Sequence, residues 1–218
     1  MKGCQCLQSS PIKRKHALTF DDLHKVINEL ATSNLHDDLL FIAMLLLTSF
    51  FTLMRLSELT FPDEIRLRNW KKIMRRSTVV VTNEQYKFLL PAHKADCFFD
   101  GNRIIVKKDQ YCNINPLAAF QAYLTSRDDC FPLSSPLWIL HNGTVPTRQF
   151  FITRLRHFFD QDIAGQSMRA GGATSLAEHG VTPALIQFMG HWSSDAFFIY
   201  IRKNPVLIQA LLHSGRPV

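Results

Sequence analysis

Apolar residues fill the segment Leu39–Met54 (LLFIAMLLLTSFFTLM) almost without interruption, whereas the segments on both sides mix polar and apolar positions. The run follows Asp37-Asp38 and is closed by Arg55 and Glu58. Its 16 residues fall short of the roughly 20 that a membrane-spanning helix needs. The pattern therefore predicts a helix over 39–54 that is buried on all sides in a folded core, and not a membrane span.

Capping signals predict the other helices. Thr19, followed by acidic residues in the next turn, predicts a helix that runs to about residue 31. Asn115-Pro116 and Thr182-Pro183 each place a proline at the first position of a helix. The remaining helices are predicted near 116–127, 147–160, 169–179, 183–189, 194–203 and 205–213.

Between residues 77 and 108 the pattern changes to short β-rich runs, STVVV, YKFLLPAHK and NRIIVKK. Asn83-Glu84 and Asp100-Gly101-Asn102 separate these runs as turns, which predicts three antiparallel strands. The predicted fold class is therefore mainly α, of the α+β type, with a small three-stranded antiparallel sheet. Residues 1–16 are expected to form a flexible basic tail, and residues 17–218 a single domain.

Composition narrows the class of partner. The chain has 218 residues, of which 46% are hydrophobic and 20% charged, and this excludes a disordered or low-complexity chain. The net charge of +7 favours a polyanionic partner without identifying it. The five cysteines are scattered, show no zinc-site spacing and are expected to be free thiols.

Five residues occur in a distinctive order. Arg55 lies in LMRLSEL, Lys94 in LLPAHKADCFFDGNRIIV, Arg169 in GQSMRAGGATSLAEHG and His191 in MGHWSSDAFFIYIR, and Tyr200 follows His191 by nine residues. This succession resembles the catalytic domain of the tyrosine recombinases, enzymes that break and rejoin DNA. The block from Arg169 to Lys203 is also similar to the recombinase-like proteins of crypton-type fungal mobile elements. The resemblance covers residues 17–213.

The resemblance implies a role for each of these residues. Arg55 and Arg169 would stabilise the charge on the non-bridging oxygens of a DNA phosphate. Tyr200 would be the nucleophile that forms a 3′-phosphotyrosyl intermediate, and Lys94 the general acid. His191 would donate hydrogen bonds to the phosphate and handle the tyrosine proton. The reaction implied requires no metal and no nucleotide cofactor.

Two further residues are expected to support the catalytic group. One is identified by its spacing from Arg55, and the other by a departure from the family pattern. Glu58 lies one helical turn after Arg55 and is expected to orient it or another catalytic group. Gln166 stands where the family commonly has a histidine, and glutamine does not exchange protons near neutral pH. Two hypotheses stay open, an active recombinase and a decayed DNA-binding remnant. Gly171-Gly172, predicted at a helix start, would let the backbone approach a phosphate or would allow close helix packing.

The resemblance also implies partners. Double-stranded DNA is the expected substrate, and the basic segment, residues 66–76 (RLRNWKKIMRR), either contacts it or is an ordinary solvated face. Trp70 in that segment would stack on a base or sugar, or would anchor the loop to the core. The candidate DNA-binding residues are Arg66, Arg68, Lys71 and Lys72.

The apolar helix over 205–214 would dock on a second copy in a homo-oligomer or pack on its own domain. The N-terminal helical domain of the family is expected to be absent, since residues 1–18 are too short for it. A nuclear location follows from the resemblance alone. A rival interpretation is an unrelated helical interaction protein whose basic segment recruits acidic partners.

Overall fold

The computed structural model describes residues 17–47, 51–91, 101–108, 114–160, 163–192 and 208–209. The predicted tail over residues 1–16 and the predicted helix over 194–203 lie outside these ranges. Of the helix predicted over 205–213, residues 208–209 are described and are helical.

The first helix, α1 (Phe20–Leu30), begins where its capping signal predicts. Thr19 Oγ1 accepts a hydrogen bond from the backbone N–H of Asp22, and the Asp22 carboxylate accepts one from the Thr19 N–H at 2.9 Å. This reciprocal pair satisfies two backbone donors that a helix start otherwise leaves open.

The apolar helix is shorter than predicted. It is α2 (His36–Leu46), and residues Leu40–Leu47 are all buried, which confirms the burial but not the range 39–54. The chain turns back at its end, because the Leu47 carbonyl accepts hydrogen bonds from Met54 N–H and Thr52 Oγ1. Leu53 adopts the left-handed region, with φ +52°, and carries the chain away from the helix axis. Within the described ranges, every helix is too short or too polar to cross a bilayer.

The predicted three-stranded antiparallel sheet is confirmed, with strand order β1-β2-β3. Its strands are β1 (Val80–Val81), β2 (Gln85–Leu90) and β3 (Asn102–Lys107). Val80 pairs with Lys87, and Phe88 pairs with Ile104. Alternate side chains of β2 and β3 are buried, so one face of the sheet covers the core.

The C-terminal half is helical, as predicted. It contains α4 (Pro116–Cys130), α5 (Arg148–Phe158), α6 (Gly165–Glu178) and α7 (Pro183–Met189), which follow the short α3 (Leu56–Leu59). Asn115 and Thr147 cap α4 and α5 through their side-chain oxygens. The bounds of α7 agree with the prediction, whereas α6 begins at residue 165 and not at 169.

The early start of α6 corrects the prediction for its glycines. Gly171-Gly172 lie inside the helix and are buried, so they do not form its N-terminus. Leu18 crosses the helix at this point, and its N–H donates to the Ser167 carbonyl at 3.0 Å. A Cβ on Gly171 would lie 1.8 Å from the Leu18 carbonyl oxygen. The glycine therefore serves close packing between two backbone segments.

Two apolar clusters hold these elements together. The larger one surrounds α2 and includes stacked aromatic rings from the sheet and α4, with Tyr86 and Phe120 centroids 4.0 Å apart. The smaller one, called the second cluster below, consists of Leu53, Ala173, Ala177 and Ile186. It joins α6 and α7 to the loop that precedes Arg55, and so fixes three parts of the candidate site relative to one another.

Candidate active site

Arg55 is the N-cap residue of α3, directly after the turn at Leu53. Glu58 Oε2 accepts from the Arg55 backbone N–H at 2.8 Å, and Glu58 Oε1 accepts from Arg55 Nη1 at 3.1 Å. The side chains of Arg55 and Glu58 are only 20% and 6% exposed. One carboxylate therefore both caps the helix and orients the guanidinium, which is the contact expected for Glu58. Glu58 lies in α3, a separate helix that begins directly after Arg55, and not in a continuation of the apolar helix.

Arg169 lies in the second turn of α6 and faces the turn that follows α7. Its Nη2 donates to the carbonyl of Gly190 at 2.5 Å. Its Cζ lies 4.4 Å from the ring centroid of Trp192, which places the guanidinium against the aromatic ring. The side chain is partly buried at this position.

The turn of residues 190–192 brings the two arginines together. The carbonyl of His191 accepts from Arg55 Nη2 at 2.9 Å, so consecutive carbonyls bind the two guanidinium groups. His191 has φ +48°, a left-handed conformation that is uncommon for a residue with a side chain. Its ring Nε2 lies 3.4 Å from Nδ2 of Asn102, the first residue of β3.

Of the five predicted catalytic residues, the structure brings together Arg55, Arg169 and His191. Lys94 and Tyr200 lie outside the described residues. Asn102 was not predicted, and its sequence gives no signal beyond its place after a turn glycine. Trp192, next to His191 in the sequence, packs on the second cluster and also contacts Arg169.

Gln166 lies in the first turn of α6, one helical turn before Arg169. Its side chain is exposed, so the position is accessible to a ligand that reaches Arg169. A histidine here would be equally accessible. The roles of Gln166 and Glu58 in a reaction stay predictions.

The basic segment is exposed at four of its six cations, whereas Arg68 and Arg76 are half-buried. Arg66 pairs with Glu64 at 2.7 Å, and Arg68 donates to the carbonyls of Pro62 and Asp63. Trp70 is 64% exposed, although its ring meets that of Phe61 edge-on at 5.0 Å. The indole therefore anchors the loop and still presents much of its surface to solvent.

A cleft of about 320 Å³ connects the basic segment to the site. Its polar lining includes Arg55, Ser57 and Glu58 together with Asn69 and Lys72. Apolar side chains that include those of Met74 and Trp138 contribute the rest of its lining. The positive charge of Lys72 thus continues the charge of Arg55 along one concave surface.

Two tyrosines are excluded as surface nucleophiles by burial. Tyr86 and Tyr123 are 1% and 0% exposed, and burial raises the pKa of both phenols well above the ordinary value. Their hydroxyl groups stay protonated and cannot reach a ligand. Across the described residues, no three His, Cys, Asp or Glu side chains are grouped so as to hold a metal ion.

Comparison with known proteins rests on solved structures. No protein-family model matches the sequence, and no curated protein sequence matches it. XerA recombinase matches with a TM-score of 0.64 and 17% identity, over 97% of this chain and 68% of that one. The XerH site-specific recombinase, in a post-cleavage complex with its palindromic difH substrate, matches with a TM-score of 0.60 and 17% identity.

The extent of these matches differs between the two chains. The match to XerH covers 93% of this chain but 54% of XerH, so the chain spans about half the length of that recombinase. The Tn1549 transposon integrase, in complex with a circular-intermediate DNA, matches with a TM-score of 0.50 and 16% identity over 90% of this chain and 62% of that one. The chain described here therefore has the fold of the tyrosine-recombinase catalytic domain.

Proposed function

We propose that this chain is the catalytic domain of a DNA strand-breaking and rejoining enzyme, a site-specific recombinase or integrase that works through a 3′-phosphotyrosyl intermediate. One observation carries the proposal. Two arginines from distant parts of the sequence bind consecutive carbonyls, Arg169 that of Gly190 and Arg55 that of His191, in a domain with the recombinase fold.

Two arginines side by side suit a phosphodiester. Each guanidinium stays charged at physiological pH and carries five N–H donors in one plane. The contacts of the Arg55 guanidinium with Glu58 and His191 use two of its donors, which leaves others to reach a ligand. Donors fixed in advance stabilise charge that develops on the non-bridging oxygens without reorganising during the reaction.

A tyrosine nucleophile completes the proposed chemistry. The chain has four tyrosines, and burial removes Tyr86 and Tyr123 from consideration. Tyr111 and Tyr200 remain, and the resemblance selects Tyr200. Its phenol oxygen attacks phosphorus and loses its proton, with His191 the residue proposed to handle it, while the bond from phosphorus to the 5′ oxygen breaks.

The departing 5′ oxygen takes a proton, for which Lys94 is the proposed donor. Attack of a 5′-hydroxyl on the phosphotyrosine reverses these steps and rejoins the strand. No external energy source is needed, because the phosphotyrosyl bond replaces the phosphodiester bond that was broken.

The proposed substrate is double-stranded DNA, bound across the basic segment and the cleft beside Arg55. Four of the six positive charges of that segment are exposed and suit phosphate contacts. XerH and the Tn1549 integrase were solved in complex with DNA, which supports this assignment. A homo-oligomer on DNA, a mobile-element origin and a nuclear location belong to the same proposal and rest on the resemblance.

Covalent trapping tests the proposal. Duplexes with a randomised central segment and a nick remove the need to know the target sequence. Wild type should form a denaturant-resistant protein–DNA adduct, Tyr200→Phe should form none, and Tyr111→Phe should match wild type. DNA binding by Tyr200→Phe should be unchanged, because that substitution removes only the nucleophilic oxygen.

Gln166→His separates the active enzyme from the decayed remnant. If the chain is active, the histidine should raise the adduct rate by at most about 100-fold, because glutamine already supplies a hydrogen bond. If wild type and Gln166→His both bind DNA and neither forms an adduct, the DNA-binding remnant is the correct assignment. If the adduct survives Tyr200→Phe, the proposed nucleophile is wrong.

A further inference from the structure

Arg169 is held from two directions. Its Nη2 donates to the Gly190 carbonyl, and the ring of Trp192 lies against the guanidinium, with 4.4 Å from Cζ to the ring centroid. A guanidinium attracts the electron-rich face of an indole more strongly than the face of a smaller aromatic ring. The carbonyl holds one N–H group of the guanidinium, and the indole ring contacts the guanidinium from a second side.

The position of Trp192 is itself determined by its surroundings. Its backbone N–H donates to the Gln187 carbonyl at 3.2 Å, and its carbonyl accepts from Gln187 Nε2 at 3.3 Å. The ring packs against the second cluster. It also fills the space above Gly190, where a Cβ would lie 1.9 Å from Cζ3 of Trp192. The glycine therefore permits the ring to lie where it meets Arg169.

We propose that Trp192 is a positioning residue that holds the Arg169 guanidinium in its orientation by stacking, so that the in-plane N–H donors point at the bound phosphate. The catalytic consequence rests on the proposed function. A stacking contact engages the face of the guanidinium, whereas the N–H donors lie in its plane. The ring can thus fix the group without using any donor that the phosphate needs.

The two arginines differ in this respect. The Glu58 carboxylate orients Arg55 and takes one of its N–H groups in doing so. Trp192 orients Arg169 through the ring face, and Gly190 supplies a single acceptor. Loss of the ring should therefore keep the positive charge of Arg169 but leave the orientation of its guanidinium less well fixed. Such a change should lower the rate of adduct formation more than the affinity for DNA.

Packing alone makes a different prediction for the same residue. If Trp192 only fills space on the second cluster, its replacement lowers stability and has no specific link to Arg169. Phe188 is a matched control, because it is an aromatic residue of α7 that is 77% exposed and is not part of the arginine contacts. Arg66 is a matched arginine control, because it is exposed and pairs with Glu64.

The first experiment needs no activity. The chain has three tryptophans, so protein labelled with 5-fluorotryptophan should give three ¹⁹F NMR signals, and Trp192→Phe identifies one of them. Arg169→Met should shift the Trp192 signal and leave the signal of the core residue Trp138 unchanged, and Arg66→Met should shift neither. An unchanged Trp192 signal in Arg169→Met would overturn the proposal, whether or not the protein cleaves DNA.

The second experiment measures adduct formation at saturating nicked DNA. Trp192→Leu should lower the rate by about 3-fold to about 30-fold, the range that a cation–π contact supports. The DNA concentration at half-saturation should change by less than about twofold, because many other phosphate contacts set the affinity. Trp192→Phe should recover part of the rate, since a phenyl ring keeps a π face.

The link to Arg169 is tested by combining substitutions. Trp192→Leu should lower the rate of adduct formation by a clearly smaller factor in an Arg169→Lys background, because an ammonium group has no plane to be oriented. An equal cost in both backgrounds, or an equal loss in Phe188→Leu, would overturn the positioning role. If wild type forms no adduct, the proposed function fails, and the ¹⁹F experiment still decides whether Trp192 holds Arg169.

Discussion

Removal of the Glu58 carboxylate should destabilise the domain far more than removal of a carboxylate from an exposed ion pair. Glu58→Ala deletes the acceptor for two hydrogen bonds from Arg55, one from its backbone at 2.8 Å and one from its guanidinium at 3.1 Å. The cap of α3 and the orientation of Arg55 are lost together. The His191 carbonyl remains as a partner for the guanidinium.

The size of the effect follows from burial. Hydrogen bonds to charged groups typically contribute about 1.5–3 kcal/mol when one partner is removed. Arg55 is 20% exposed, so water replaces the carboxylate only in part. We expect the free energy of unfolding to fall by about 2 kcal/mol, and the melting temperature by roughly 4–8 °C for a domain of this size.

Glu64→Ala is the matched control. Glu64 also pairs with an arginine, at 2.7 Å, but its side chain is 56% exposed and that of Arg66 is 82% exposed. Such a surface pair contributes about 0–1 kcal/mol, and we expect a change below about 0.5 kcal/mol. Urea unfolding followed by tryptophan fluorescence measures both variants. Equal losses in the two would refute the argument that burial of the Arg55–Glu58 pair determines its contribution.

Three further predictions concern packing, pH and salt. Gly171→Ala should lower the melting temperature, because its Cβ would lie 1.8 Å from a backbone oxygen, whereas Gly165→Ala meets only a side chain at 3.7 Å and should be neutral or better. Hydrogen bonds from Arg76 lower the pKa of Asp128, so its ionised form stabilises the fold above the ordinary aspartate pKa. The free energy of unfolding of Asp128→Asn should therefore be lower than that of wild type near pH 7. Urea titrations at several pH values should show this difference shrinking as the pH falls through the lowered pKa. Replacing both lysines of the basic segment by glutamine should flatten the slope of log affinity for DNA against log salt by up to about two, and an unchanged slope would show that these lysines do not bind phosphate.

Local signals in the sequence predict much of the fold. The caps at Thr19 and Asn115 are local chemistry, and the helices that follow them begin as predicted. The end of α2 was not predictable, because an all-apolar run has no periodicity to mark it. That end depends on the chain turning back to the Leu47 carbonyl, with Leu53 in a left-handed conformation that usually attracts glycine.

The sequence predicted which residues form the described part of the candidate site better than it predicted the contacts between them. The order of Arg55, Arg169 and His191 in the sequence identified a group that meets at one turn in the structure. The contact between Trp192 and Arg169 depends on how the turn of residues 190–192 lies on α6, and the approach of Asn102 depends on the sheet. Neither relation has a local signature. The glycines of α6 show the same limit, since a tertiary contact with Leu18 determines the role of Gly171.

The residue at which DNA becomes attached decides whether Tyr200 is the nucleophile of the proposed reaction. Wild-type adduct formed on nicked duplex can be digested with protease and nuclease, and the peptide that keeps a nucleotide identified by mass spectrometry. We expect a 3′-linked nucleotide on Tyr200, and loss of that peptide in Arg55→Met and Arg169→Met. A nucleotide on Tyr111 or on any other residue would contradict this expectation.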